Sequence, residues 1–159
     1  MIFWIIGLAA VTLSACSPHS PAEDMALGRT IFESREADFE SAADQLKEHD
    51  IHWVNDAFSP AELRMAFGDE MISGDLTPQK EAAYNSVLDF LESAGLGSAR
   101  FSTFPDRDGV MIERYSFLVT SYGVGGSTEG AVIVKTTATH TDADCEPLRS
   151  PEWFVCYLK

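Results

Sequence analysis

The fold is decided by the stretch Val110-Met-Ile-Glu-Arg-Tyr-Ser-Phe-Leu-Val-Thr-Ser-Tyr122, which is rich in β-branched and aromatic residues. Side chains of an extended chain point to opposite faces in turn, so Tyr115, Phe117 and Val119 share one face. The residues between them, which are more polar, share the other. This alternation predicts a long strand that is buried on one face.

Segments of similar composition flank this strand, with turn residues between them. They are residues 100–104, 131–139 and 152–158. Short connections between successive strands are typical of an antiparallel meander. Residues 51–54 are a candidate for a further short strand. The C-terminal part of the chain is therefore predicted to form an antiparallel sheet of about four strands.

Helix-start signals occur before this sheet. Ser20-Pro21-Ala22-Glu23 and Ser59-Pro60-Ala61-Glu62 have the same sequence, which predicts a capping box with Pro at the first helical position. Thr77-Pro78 begins a third helix, which is expected to end at Gly95. Helices followed by strands indicate an α+β fold, with the N-terminal helices packed on one face of the C-terminal antiparallel sheet.

The first helix is predicted over residues 21–49, because apolar residues recur there at spacings of three, four and seven. This apolar stripe consists of Leu27, Ile31, Phe32, Phe39, Ala42, Ala43 and Leu46. The second helix is short, with an apolar pair at Leu63 and Phe67. The third helix has a stripe of Ala83, Val87, Phe90 and Leu91.

The chain of 159 residues contains 25 acidic and 11 basic residues, so its formal net charge is −14 at pH 7. This charge argues against nucleic-acid binding, which depends on neutralising phosphates with Lys and Arg. Residues 16–99 hold 17 acidic and 5 basic residues, whereas residues 100–159 hold 8 and 6. We therefore expect that an electrostatic partner would meet the helices rather than the sheet.

The N-terminus carries an apolar segment, Ile2 to Ala15, that contains no charged residue. A membrane span needs about 20 residues, so this segment fits the apolar region of a secretory signal instead. It ends in Leu13-Ser14-Ala15-Cys16, which resembles the lipobox of bacterial lipoproteins. The resemblance implies cleavage before Cys16, a diacylglyceryl group on its thiol, and an acyl chain such as palmitate on its new amine.

This resemblance also implies a location and a domain organisation. Residues 1–15 are expected to be the signal peptide, residues 16–22 a lipidated tether, and residues 23–159 a single α+β domain. Because Ser17 follows the Cys in place of Asp, the family pattern favours the outer membrane, with the domain facing the periplasm. No Lys or Arg precedes the apolar segment, which departs from the family pattern. The alternative is a plain signal peptide with an incidental Cys16.

The remaining cysteines, Cys145 and Cys156, form an even pair in a compartment that permits disulfides. We expect a disulfide between them, with two unpaired buried thiols as the alternative. A redox-catalytic role is not expected, since the sequence has no Cys-x-x-Cys.

Three segments were considered for ligand binding. His49 and His52 would share a helical face and form a metal pair if the helix continued, but Ile51 and Trp53 indicate that it ends. We expect a capping or surface role for both, with metal ligation as the alternative.

The Gly-rich residues 123–130 lack the Lys-Ser/Thr of a phosphate-binding loop, so a hairpin connection is expected. Oxygen-bearing side chains alternate along residues 140–146, but their spacing does not match that of an EF-hand. We therefore expect a solvent-exposed loop there, with weak calcium binding as the alternative.

No catalytic motif is present, and no cofactor other than a covalent lipid on Cys16 is expected. The aromatic residues are expected to form the helix–sheet core, with exposure of a few as a binding patch as the alternative. They are Trp53, Phe58, Phe101, Phe104, Tyr115, Phe117, Trp153, Phe154 and Tyr157.

The first hypothesis for the function is a non-enzymatic binding or inhibitory (immunity-like) lipoprotein that recognises a basic protein partner. The alternatives are an accessory component of the outer membrane and a metal-assisted hydrolase that uses His49 and His52.

Overall fold

The computed structural model describes residues 20–121, 129–138 and 144–158. The predicted signal peptide, Cys16, most of the Gly-rich segment 123–130 and residues 139–143 therefore lie outside the described residues. The helices are α1 (Pro21–Glu48), α2 (Pro60–Phe67) and α3 (Pro78–Ala94), with a short 3-10 helix at Gly68–Glu70. None of the helices in this described part has the length and apolarity needed to cross a bilayer.

Six strands form one antiparallel sheet within the described residues. They are β1 (Trp53–Asn55), β2 (Ser98–Pro105), β3 (Met111–Leu118), β4 (Gly130–Thr136), β5 (Cys145–Pro147) and β6 (Trp153–Leu158). Their order across the sheet is β1-β2-β3-β4-β6-β5. The predicted α+β class and antiparallel sheet are confirmed. The estimate of about four strands was too low, because a short strand adds to each edge.

The edge strand β5 corrects one prediction, since Cys145 and Glu146 were placed in a solvent loop. These residues pair with β6, with Cys145 opposite Cys156. The two are joined by a disulfide, and their Cα atoms are 4.0 Å apart. A strand of three residues shows too little alternation to be found by pattern.

The core lies between the helices and one face of the sheet. Phe39 of α1 is at its centre, with ring centroids 5.0 Å from both Phe90 of α3 and Phe117 of β3, in edge-to-face geometry. Trp153 of β6 is also fully enclosed and contacts Phe32, with centroids 5.0 Å apart. Aromatic pairs of this kind contribute about 0.5–1.5 kcal/mol each beyond the area they bury.

The helix α1 packs closely against the sheet at Gly28. A Cβ atom at Gly28 would lie 3.0 Å from Cγ2 of Val155 and 3.4 Å from Cγ2 of Val119. The predicted apolar stripe of α1 is buried from Phe32 to Leu46, and it differs from the prediction only near the start of the helix. Leu27, expected in the core, is 47% exposed, while its neighbour Gly28 is buried.

The identical Ser-Pro-Ala-Glu segments cap their helices differently. Ser59 accepts a hydrogen bond from the Glu62 N–H, and the Glu62 carboxylate accepts one from the Ser59 N–H at 2.9 Å, so the predicted capping box forms. The box predicted at Ser20 and Glu23 was wrong, because the Ser20 side chain makes no capping hydrogen bond. The helix begins at Pro21 as predicted, so the last two residues of the segment 16–22 that was expected to be tether are helical.

Candidate functional site

A polar groove of about 380 Å³ lies between α1 and α3 in the helical layer. Its walls carry polar side chains at helical spacing, namely Asp38, Ser41 and Gln45 from α1 and Ser86, Asp89 and Ser93 from α3. Its floor is apolar, since Ala42, Val87 and Phe90 are buried. The contact between Phe39 and Phe90 holds the two helices together beneath it.

Arg35 closes one end of this groove. Its Nε donates to Oδ2 of Asp38 at 2.8 Å, and its Nη1 donates to Oγ of Ser93 at 2.8 Å. The guanidinium also lies 5.1 Å from the centroid of the Phe90 ring. Arg35 has non-helical backbone angles, φ −139° and ψ 26°, so α1 is kinked at this residue. The kink occurs where α1 begins to run alongside α3.

The charges of the groove are unbalanced. Asp38 is neutralised by Arg35, but Asp89 makes no ion pair within the described residues. Further carboxylates are exposed on the same two helices and likewise lack an ion pair there, namely Glu33, Asp44, Glu48, Glu81 and Glu92. The groove therefore lies in a negatively charged surface, which agrees with the distribution of charge along the sequence.

The two histidines considered for metal binding lie outside α1. The helix ends at Glu48, and His49 is its C-cap, with its N–H donating to the Gln45 carbonyl while the Asp50 N–H donates to the Lys47 carbonyl. His52 lies beyond the turn, with its Nδ1 3.3 Å from the Phe101 carbonyl and its Nε2 3.2 Å from Oγ of Ser73. The shared helical face required by the metal hypothesis is therefore not formed.

Within residues 20–121, 129–138 and 144–158, no three His, Cys, Asp or Glu side chains come together in a way that could hold a metal ion. The hypothesis of a metal-assisted hydrolase has no site to build on within those ranges. Cys16, most of the Gly-rich segment 123–130 and residues 140–143 of the possible calcium loop fall outside the described residues.

A second polar cluster lies between α1 and the sheet, outside the groove. Glu40 accepts hydrogen bonds from Lys135 at 2.5 Å and from the Trp153 indole at 2.6 Å. Burial raises the pKa of Glu40, but these two hydrogen bonds and the charge of Lys135 outweigh it, so the pKa lies below its ordinary value. Its donors are Trp153, which is buried in the core, and the half-buried Lys135, so Glu40 is a structural carboxylate.

Glu113 of β3 belongs to a related contact nearby. The hydrogen bond from Lys47 is the main reason that its pKa lies below the ordinary value. Tyr115 donates to the Glu113 carboxylate at 3.1 Å, and burial together with that negative charge raises the pKa of the phenol. Tyr115 is therefore held in its neutral form.

Sequence reasoning predicted the acidic helical layer but did not find the groove. The signal was present, because Asp38, Ser41 and Gln45 recur at spacings of three and four, as do Ser86, Asp89 and Ser93. Polar stripes of this kind usually face solvent. Only the packing of α1 against α3 shows that these two stripes face each other. No family model, curated protein or solved structure matches this chain.

Proposed function

We propose that the mature chain is a lipid-anchored, non-enzymatic binding module of the cell envelope that captures or inhibits a basic protein. The groove between α1 and α3 carries this proposal, because it combines the unneutralised carboxylate of Asp89 with hydroxyl acceptors and an aromatic floor. The exposed carboxylates around it lack cationic partners within the described part of the chain.

The groove suits a Lys or Arg side chain from the partner. The Asp89 carboxylate would pair with the cation, and the hydroxyls of Ser41 and Ser86 would accept its remaining hydrogen bonds. The aliphatic stem of such a side chain would lie against the groove floor, where Phe90 is buried. The surrounding carboxylates would raise the association rate by electrostatic steering, an effect that weakens as salt is added.

The anchoring part of the proposal rests on the lipobox resemblance at Cys16. Two or three acyl chains at one residue give stable membrane attachment, whereas a single chain binds only marginally. Four residues separate Cys16 from Pro21, where α1 begins. Even fully extended, they reach about 14 Å, so the domain would stay close to the outer membrane, facing the periplasm.

The first experiment measures binding of the mature chain to lysozyme, used as a basic cell-wall-degrading probe, by calorimetry at several salt concentrations. We expect binding at low salt that weakens steeply towards physiological salt. Asp89→Lys should weaken it at least tenfold. The control is Asp108→Lys, which makes the same charge change in the exposed turn between β2 and β3.

Equal loss of binding in the two variants would show that only net charge matters and would remove the groove from the proposal. The proposal as a whole would be overturned by two results together. These are absence of binding to lysozyme and failure to recover any basic protein, at low salt, from periplasm or from secretions of competing bacteria. Lipidation is tested separately, by mass measurement of the N-terminal peptide and its loss in Cys16→Ser.

A second candidate function, an accessory role in assembling or stabilising the outer membrane, is favoured by an exposed apolar patch. Phe104, Val110 and Met111 are 41%, 59% and 58% exposed at the ends of β2 and β3 that the turn connects. Deletion of the gene should then make the cells sensitive to detergent. Expression of the unsubstituted protein should restore resistance, whereas expression of the Met111→Ser variant should not. Unchanged permeability after deletion would remove this candidate.

A further inference from the structure

The face of the sheet opposite the helices carries two arginines on adjacent strands. In the antiparallel register, Arg100 of β2 lies opposite Ser116 of β3, and Ser102 lies opposite Arg114. Arg100 and Arg114 are therefore diagonal neighbours on one face, with Cβ atoms separated by about 7 Å in such a pair. Side chains as long as arginine can converge on one group across this distance.

These two arginines have no ion pair within the described residues, although the chain has many more acidic than basic residues. The guanidinium of Arg100 is instead held above the ring of Trp53, 5.3 Å from its centroid. This contact uses the flat face of the guanidinium and leaves its N–H groups at the edge available. Two neighbouring positive charges are thus left unneutralised on this face.

The arginines line a cleft of about 300 Å³ on the same face. Its polar side consists of Arg100, Arg114 and the hydroxyls of Ser98 and Ser116, and no carboxylate side chain of the described residues lines it. Its other side is apolar and is formed by Leu118, Val132 and Leu158. The size is at the lower end of the range for small-molecule sites.

We propose that this cleft binds a small amphipathic anion, namely a carboxylate or phosphate head group attached to a short alkyl chain. The two guanidiniums and the serine hydroxyls donate to the oxygens of the head group, and Leu118, Val132 and Leu158 contact the chain. Because the cleft is on the sheet face away from the groove between α1 and α3, this binding is independent of the proposed protein partner.

The test uses the mature chain with Cys16→Ser, so that no attached acyl chain competes for the cleft. Octanoate and octyl phosphate are titrated below their micelle concentrations, with binding followed by the NMR signals of the arginine Nε–H groups and by calorimetry. We expect the Arg100 and Arg114 signals to shift together with both probes. The tighter of the two probes identifies the head group.

Controls separate the two halves of the cleft. Octyl glucoside carries the same chain without charge, and acetate and inorganic phosphate carry the charge without the chain, so each should bind at least tenfold more weakly. Arg100→Gln with Arg114→Gln should weaken octanoate binding at least tenfold. Arg107→Gln makes the same substitution in the exposed β2–β3 turn and should leave it unchanged.

Three results would overturn the proposal. The first is absence of binding by both octanoate and octyl phosphate to the chain with its arginines intact. The second is equal binding by octyl glucoside, which would show apolar contact alone, and the third is equal binding by acetate or phosphate. Thermal unfolding of the arginine variants checks that they retain the fold. If they do not, the comparison of octanoate and octyl phosphate with octyl glucoside, acetate and phosphate still tests the proposal, because it uses the chain with both arginines intact.

Discussion

Lys135 on β4 and Glu40 on α1 form an ion pair across the helix–sheet boundary, with Nζ and Oε2 2.5 Å apart. The second oxygen of the same carboxylate accepts the indole N–H of Trp153 on β6. One carboxylate therefore ties α1 to two neighbouring strands. The ammonium of Lys135 also lies 5.6 Å from the centroid of the Trp153 ring, so Lys135, Glu40 and Trp153 form one cluster.

Glu40→Gln should destabilise the protein most at neutral pH. The pKa of Glu40 is lowered in the folded state, so its contribution to stability is present above the unfolded pKa and is lost as the pH falls through the folded pKa. The difference in the free energy of unfolding between the variant and the parent should therefore shrink between pH 7 and pH 3. Urea unfolding at both pH values measures it.

The matched control for this prediction is Glu33→Gln, because Glu33 is exposed on the same helix and makes no ion pair in the described region. It should change the free energy of unfolding by less than about 0.5 kcal/mol at either pH. A Glu40→Gln effect that stays constant with pH would show that the charge of Glu40 is not what stabilises the fold.

Ser59→Ala should destabilise the protein by about 1 kcal/mol, because Ser59 caps α2 and that hydrogen bond is lost. Ser20→Ala makes the same change in an identical Ser-Pro-Ala-Glu segment, where the hydroxyl makes no capping bond, and should cost much less. Thermal unfolding of the two variants compares them directly. Equal shifts in Tm would contradict the difference in capping.

Gly28→Val should destabilise the protein by about 1–3 kcal/mol, since its side chain would be forced against Val155 and Val119. Ala26→Val places the same β-branched side chain on the exposed face of the same helix, away from the sheet. Because valine forms helix better than glycine but worse than alanine, a larger loss in Gly28→Val must come from its contacts with the sheet. Chemical denaturation of both variants gives the comparison. A Gly28→Val variant as stable as Ala26→Val would show that α1 can move away from the sheet.

Removal of the disulfide by Cys145→Ala with Cys156→Ala should lower the free energy of unfolding by about 3 kcal/mol on the chain-entropy model. A reductant should destabilise the parent to a similar extent and leave the double variant unaffected. A loss below about 1 kcal/mol would indicate that β5 stays paired to β6 without the covalent link. Urea unfolding with and without reductant provides the measurement.

The sequence was most informative where one periodic pattern extended over many residues. The alternation in 110–122 and the stripes of α1 and α3 were sufficient to predict the α+β class, and Ala83, Val87, Phe90 and Leu91 are all buried as expected. The end of α3 was equally predictable, because Gly95 adopts the left-handed conformation that glycine favours.

The features of the fold and the site that could not be predicted depend on tertiary contacts, which leave no pattern in the local sequence. Gly28 is buried against Val155, a residue more than a hundred positions away in the sequence. The groove exists because two polar stripes face each other, and the convergence of Arg100 and Arg114 follows from the register of β2 with β3. Charge composition predicted the acidic helical layer, but it obscured a basic site on the opposite face.

The kink at Arg35 divides α1 into two segments with different mechanical roles. The segment before it is fixed to the sheet, since Gly28 contacts Val155 and Arg29 binds Glu146 and the Pro147 carbonyl on β5. The segment after it forms one wall of the groove with α3 and is tied to β4 and β6 through Glu40. A pulling force applied at the N-terminus of α1 is therefore borne first by the contacts of the first segment with β5 and β6, so the strain reaches that edge of the sheet before it reaches the groove.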